Sequence, residues 1–191
     1  MKKILFCLLL LNFYHLHSQS LKWNEGSVVL ASKKVITGQI AVEPVHDIIL
    51  VQDGDLRTVY PAHKIQSLYF YDQANINRRF VSIKGNDIGT RYQLFEVVLN
   101  GKVVVLRRQK AKGYSTSDAL DFTYQIKYDN ILVPLRKFNR KIYPQLITLT
   151  DTRLQDFIAE NRLRTYSDSN SIRIIEFYNR LIRLDDAMAK H

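Results

Sequence analysis

The chain has 191 residues, with 28 Lys and Arg against 18 Asp and Glu, a formal charge of +10 and an isoelectric point near 9.7. Its single cysteine is Cys7, which excludes disulfides, thiol nucleophiles and cysteine-based metal sites from everything beyond that position. With 46% hydrophobic residues, a chain of this length suits one domain that buries most of its apolar surface without covalent staples.

Residues 1–20 read as a secretory signal peptide: Lys2 and Lys3, then an apolar run from Ile4 to Phe13, then a polar exit containing Ser18 and Ser20. The run is shorter than the roughly 20 apolar residues that a membrane span needs. Cleavage after Ser18 leaves Gln19 as the new N-terminus, while cleavage after Ser20 fits a small-x-small pattern. Cys7 lies inside the run instead of at its end, which argues against a lipid anchor. Removing the segment takes Lys2 and Lys3 with it and leaves a charge of +8. No later run reaches spanning length, so the mature chain is expected to be soluble or peripheral. The runs are also mostly shorter than the strands of about 9 to 11 residues in an outer-membrane barrel.

Beyond Trp23 the pattern is one of short strands: Val28 to Leu30, Val35 to Val42, Ile48 to Val51 and Leu56 to Tyr60, cut by Ser32-Lys33, Pro44 and Asp53-Gly54. Further strands are expected at Ile65 to Tyr71, Arg79 to Ile83, Tyr92 to Leu99, Lys102 to Arg108, Phe122 to Tyr128 and Ile131 to Leu135. Asp53-Gly54 and Asn100-Gly101 each predict a hairpin, because a two-residue type I′ turn needs positive φ at both positions. Val103 to Leu106 is apolar on both faces, as in a strand covered on two sides. Strict alternation puts Phe122, Tyr124, Ile126 and Tyr128 on one inward face.

After Pro144 the period becomes helical. Thr150 or Asp151 can cap a helix lined by Leu154, Phe157 and Ile158, and Asp168 or Ser169 a second one over about Ser171 to Ala187. In the second, Ile174, Phe177, Tyr178, Leu181 and Leu184 oppose a polar stripe of Arg173, Glu176, Arg180 and Arg183. The expected fold is therefore mainly β with C-terminal helices (α+β): an antiparallel curved sheet, small barrel or sandwich, followed by two α-helices. The boundaries are a signal peptide over 1–20, a β-rich domain over 21–148, a helical segment over 149–187 packed on it, and a tail over 188–191.

Positive charge is concentrated between residues 102 and 141, where ten basic side chains face only Asp118, Asp121 and Asp129. Arg107, Arg108, Lys110, Lys112, Arg136, Lys137, Arg140 and Lys141 are the candidate surface for an anionic partner. In an exported chain the anionic candidates are lipid headgroups, acidic polysaccharide and acidic protein faces; export makes nucleic acid a poor one.

Catalytic chemistry is not legible. Histidines beyond residue 20 are His46, His63 and His191, and no nucleophile-elbow, zinc-helix or phosphate-loop motif occurs. Asp53-Gly54-Asp55 has too few oxygens for a calcium loop, and Asp118 with Asp121 offers no reason for a raised acid pKa. No catalytic residue, metal ligand or cofactor is assigned. Tyr69, Phe70, Tyr71, Tyr124 and Tyr128 sit at alternating spacing that suits a core; exposed, such rings can stack on sugars.

Gly38-Gln39-Ile40, Asp47 to Val51, Asp53-Gly54, Tyr60 to Ile65, Leu68-Tyr69-Phe70, Arg79-Phe80 and the late Phe177-Tyr178-Asn179 resemble a group of uncharacterised small exported proteins of Bacteroidota-type bacteria. The resemblance implies a compact β-domain with a helical tail and carries no activity. The first strands, ending in Pro61-Ala62-x-Lys64-Ile65, also look like an SH3- or Sm-like module, an analogy of pattern only. The functional expectation is a non-catalytic exported β-domain with a binding or structural role at the cell envelope, periplasmic, outer-membrane-associated or extracellular. The alternatives are a hydrolase of envelope polymer, which requires a cleft joining His46 or His63 to a carboxylate, and a carrier holding a small apolar ligand in an aromatic interior.

Overall fold

The computed structural model describes residues 21–85, 91–110, 121–129, 131–150 and 152–189. Four strands form a first meander: β1 (Asn24–Leu30), β2 (Val35–Glu43), β3 (Ile48–Asp53) and β4 (Leu56–Pro61). A 3₁₀ turn, Ala62–Lys64, then returns the chain to the free side of β1, where β5 (Ile65–Tyr71) pairs antiparallel with it. A second meander follows through β6 (Asn77–Lys84), β7 (Tyr92–Leu99), β8 (Val103–Gln109), β9 (Phe122–Tyr128) and β10 (Ile131–Pro134). The ten strands make one sheet in the order β10-β9-β8-β7-β6-β5-β1-β2-β3-β4. Within it the 3₁₀ turn joins β4 at one end to β5 beside β1. The sheet does not close, because β4 remains an edge and β5 continues into β6. The curved open sheet is thus the alternative that holds.

Alternation along paired strands gives the sheet an inner face with two apolar regions. In the first, Val28, Ile40, Ile49, Val51, Leu68, Phe70, Phe80 and Leu94 cluster with Ala62 and Ile65. Among the described residues no α-helix contributes to this cluster, only Ala62 of the 3₁₀ turn: the sheet bends over itself. Gly26 lies at the bend, where a Cβ would sit 2.7 Å from Phe70 Cβ and 3.0 Å from Ile40 Cδ1. Such an approach of neighbouring strands admits only glycine. In the second region Val103, Val105, Ile126 and Tyr128 are covered by helices.

These helices begin earlier than the sequence pattern indicated. A 3₁₀ turn, Leu135–Lys137, leads into α1 (Phe138–Lys141) and α2 (Tyr143–Thr148), ahead of the two expected helices, α3 (Arg153–Glu160) and α4 (Asp168–Met188). Pro144 opens α2 instead of ending anything, since a first-turn proline lacks only an N–H that the helix leaves unpaired. Phe138, Ile142, Leu146, Leu154, Ile174, Ile175 and Tyr178 are fully buried against the sheet. At about 1.5–3 kcal/mol per large apolar side chain, this burial is what attaches the helices. Phe157 stacks on Phe177 with ring centroids 3.9 Å apart, fastening α3 to α4. Two expectations fail locally. Thr150 donates back to the Leu146 carbonyl instead of capping α3, while Asp151, the other expected cap, lies outside the described residues; and Leu184 is exposed because α4 outruns the surface it packs on.

Both hairpins form, with different turns from those expected. Asp53 pairs with Leu56, so Gly54 and Asp55 are the central residues, and only Gly54 has positive φ (59°), as in a type II′ turn. At Asn100-Gly101 neither residue has positive φ. Gly101 is required there because a Cβ would overlap the Asn179 side-chain amide.

That amide is the anchor of α4. Asn179 Oδ1 accepts the Val103 N–H at 2.9 Å and its Nδ2 donates to the Val103 carbonyl at 2.7 Å, so the side chain acts as a one-residue strand partner. Beside it, the Tyr178 hydroxyl is buried with Tyr128 as its polar neighbour but no hydrogen bond of good geometry among the described residues, and burial, then Tyr128, push its pKa up. Asn179→Ala strands two buried backbone groups and is expected to cost about 2–4 kcal/mol in urea unfolding followed by circular dichroism. Tyr178→Phe removes an unsatisfied hydroxyl and is expected to be neutral or stabilising by up to about 1 kcal/mol in the same measurement.

Candidate functional site

The basic residues singled out between 107 and 141 do not form one surface. Arg107 lies at the end of β8 on the inner face, where Nε donates to Glu96 Oε2 at 2.7 Å and Nη2 to Glu96 Oε1 at 2.9 Å. Its guanidinium covers the Phe122 ring at 4.7 Å. Glu96 also accepts Arg78 Nη1 at 2.8 Å, and Arg78 Nε donates to Asp72 Oδ2 at 2.8 Å. The carboxylate partners raise the pKa of Arg107, first through Glu96, and that of Arg78, first through Asp72.

Arg108 is committed to the β2–β3 turn. Its Nη2 lies 2.9 Å from Asp47 Oδ2 and also donates to the Pro44 and Val45 carbonyls. Asp47 is buried with a φ of 58°, a left-handed conformation that Asp tolerates. Its other oxygen accepts the Leu94 N–H at 2.9 Å, and its carbonyl accepts the Ala62 N–H at 2.8 Å. One aspartate therefore ties the turn to β7, to β8 and to the 3₁₀ turn after β4. Lys110 pairs with Asp121 at 2.6 Å, and Lys112 and Asp118 lie outside the described residues.

Arg136, Lys137, Arg140 and Lys141 are arranged differently. They sit on the 3₁₀ turn and α1, and all four are exposed. Among the described residues, no carboxylate lies within 4.0 Å of any of them. Between them Leu135, Phe138 and Ile142 are buried, so the backbone that carries the cations is fixed to the second core. Lys137, Arg140 and Lys141 line a concavity of about 330 Å³. Thr165 Oγ1 donates to Asn139 Oδ1 at 2.8 Å, which brings the α3–α4 connection, with exposed Arg164, against the same turn.

His46 and His63 line a shared concavity with Asp47, Pro61, Arg91 and Tyr92. Both histidines are exposed, and His46 Nδ1 is 3.8 Å from Glu43 Oε2. The concavity thus joins both histidines to a carboxylate, Asp47, which is already engaged by the Leu94 N–H and Arg108 and lies 3.8 Å from Arg91 Nε. Among the described residues no three His, Cys, Asp or Glu side chains group as metal ligands. His191 lies outside the described residues. Tyr69 and Tyr71, expected in a core, are exposed on the outer face of β5, while Phe70 and Tyr128 turn inward.

A groove of about 420 Å³ opens where the inner face is covered neither by the bend nor by the helices. Arg78, Glu96 and Arg107 line it, with Phe70, Phe80 and Phe122 among its apolar neighbours. It is a surface groove, whereas the two apolar clusters are packed with side chains. No helix of the described residues is long and apolar enough to cross a membrane. Comparison with protein-family models, with curated proteins and with solved structures finds no match.

Two predictions follow from these ion pairs. Arg108→Ala leaves the buried Asp47 carboxylate with the Leu94 N–H and the more distant Arg91, 3.8 Å away, and is expected to cost about 2–3 kcal/mol in denaturant unfolding, whereas Arg136→Ala shifts stability by less than about 0.5 kcal/mol. Asp72 is held below the ordinary 3.8, first by the Ile76 backbone N–H and then by Arg78, and Asp185 is lowered first by Arg153. A depressed folded pKa stabilises above the unfolded value and loses that contribution as pH falls through the lower folded value. Urea midpoints should therefore fall as pH drops below about 4, and Asp72→Asn should flatten that part of the profile.

Proposed function

We propose that this protein is a non-catalytic exported binding domain of the bacterial cell envelope, and that Arg136, Lys137, Arg140 and Lys141 form its contact with an anionic envelope component. The observation that carries the proposal is the contrast within the basic segment. Arg107, Arg108 and Lys110 have carboxylate partners, while these four cations are exposed, lack such partners among the described residues and are mounted on buried Leu135, Phe138 and Ile142. A backbone already fixed by packing has no ordering of its own to lose on binding, so only the side chains are immobilised and more of their attraction is retained as affinity. The amino-terminal pattern of residues 1–20 supports export and with it an envelope partner.

The test is co-sedimentation of the purified protein with envelope fragments across a salt series. Binding is expected to weaken by about tenfold or more between low salt and 0.3 M, because exposed charges are screened beyond a Debye length of about 8–10 Å near physiological salt. Reversal of all four residues to Glu should abolish it while leaving the denaturation midpoint in place. Salt-insensitive binding that survives the reversal would contradict the proposal.

A further inference from the structure

The groove on the inner face differs in chemistry from the basic turn. Asp72 and Glu96 are its acidic lining residues, and each accepts three hydrogen bonds out of the about four that a carboxylate can take. Asp72 Oδ1 accepts the Ala74 and Ile76 N–H groups and Oδ2 accepts Arg78, while Glu96 accepts Arg78 once and Arg107 twice. The guanidiniums are not saturated. Arg78 and Arg107 each direct two N–H groups to these carboxylates, out of the five that a guanidinium carries. Arg108, also in the lining, is bound through Nη2 to groups of the β2–β3 turn, and its partner Asp47 is not part of the groove wall. With Lys22 at the rim, the lining carries four cations and two carboxylates. The groove thus offers donors and little acceptor capacity from its ionised groups, and its excess charge is positive.

Asn24, Gln73 and Gln109 add uncharged polar groups, and the rest of the wall is apolar: Val42, Pro44, Phe70, Ala74, Phe80 and Phe122. A volume of about 420 Å³ falls within the roughly 300–1,000 Å³ of small-molecule sites, where apolar walls and a few convergent polar groups are the rule. Guanidinium forks match the planar or tripod oxygens of carboxylate and phosphate. We propose that this groove binds a small amphipathic anion, an apolar body carrying one carboxylate or phosphate, with the oxyanion at Arg78, Arg107 and Arg108 and the body against Phe70, Phe80 and Phe122. A wholly apolar ligand would leave those N–H groups desolvated and unpaired, which disfavours the carrier of an apolar compound. Each arginine already has a carboxylate partner, so the floor is rigid before the ligand arrives.

The test is titration of the ¹⁵N-labelled protein, followed by backbone amide shifts, with 2-naphthoate, 2-naphthyl phosphate, neutral 2-naphthamide and inorganic phosphate. The two aryl anions should perturb amides at 72–78 and 107–109 and bind about tenfold or more tighter than either 2-naphthamide or inorganic phosphate. The ratio between the two anions then distinguishes a carboxylate from a phosphate ligand. Ala74→Trp, at an exposed position of the groove wall, should obstruct the site and weaken both anions by about tenfold. Lys22→Glu, on the exposed rim, should weaken them through charge and serves if the tryptophan disturbs folding. Equal binding of 2-naphthamide or of bare phosphate, absence of binding, or insensitivity to both variants would overturn the proposal. So would perturbations confined to Arg136–Lys141, and that pattern would leave the proposed envelope contact standing on its own.

Discussion

Glu96 stands in the middle of the sheet and accepts hydrogen bonds from both neighbouring strands, from Arg78 on β6 and from Arg107 on β8. The row it makes runs across the strands and separates the two apolar regions of the inner face. On one side the sheet can bend over itself; on the other it needs helices. The Asp47 cluster fixes how far the bend goes, because Asp47 reaches Leu94 on β7 and Arg108 on β8 from a turn that is distant in sequence. Partly buried charges of this kind do not have to add net stability in order to specify geometry, since any other curvature would leave Asp47 and Arg108 unpaired. The groove lies along this row, where neither core extends.

Basic charge in this chain therefore has two separate uses. Arg107 and Arg108 are internal fasteners paired with Glu96 and Asp47, and Arg136, Lys137, Arg140 and Lys141 are external charges on a turn whose apolar residues are buried. The first set is coupled to folding, so its loss is felt as instability. The second has no carboxylate partner among the described residues, so its loss is expected to leave stability in place. The edge strand β4 and the exposed tyrosines of the outer face belong to neither system.

How much of this was legible in the sequence depends on the range of the interaction. Strands whose identity follows from local composition were readable to the residue, as at Ile65–Tyr71, Tyr92–Leu99 and Phe122–Tyr128. The helices between Leu135 and Thr148 were not, although Leu135, Phe138, Ile142 and Leu146 have helical spacing, because Pro144 and the preceding strand broke the window into pieces too short to show a period. Asn100-Gly101 marked a real hairpin for a reason that only tertiary structure reveals, the Asn179 amide packed on Gly101. Charge counting along the chain correctly located a basic segment and could not tell which cations are neutralised. The partners of Arg107 and Arg108, Glu96 and Asp47, come from another strand and from a distant turn. The Asp47 hub had no sequence signal of its own beyond an aspartate beside a histidine at a strand entry.

If the Glu96 row and the Asp47 cluster join the two halves into one cooperative unit, native-state hydrogen exchange should report it most directly. Amides of β2 and β3, in the bent half, and amides of β8 and β9, under the helices, should open with the same free energy and the same denaturant dependence, equal to those of global unfolding. A bent half that exchanges through its own opening, at lower free energy, while β8 and β9 stay protected would contradict the account.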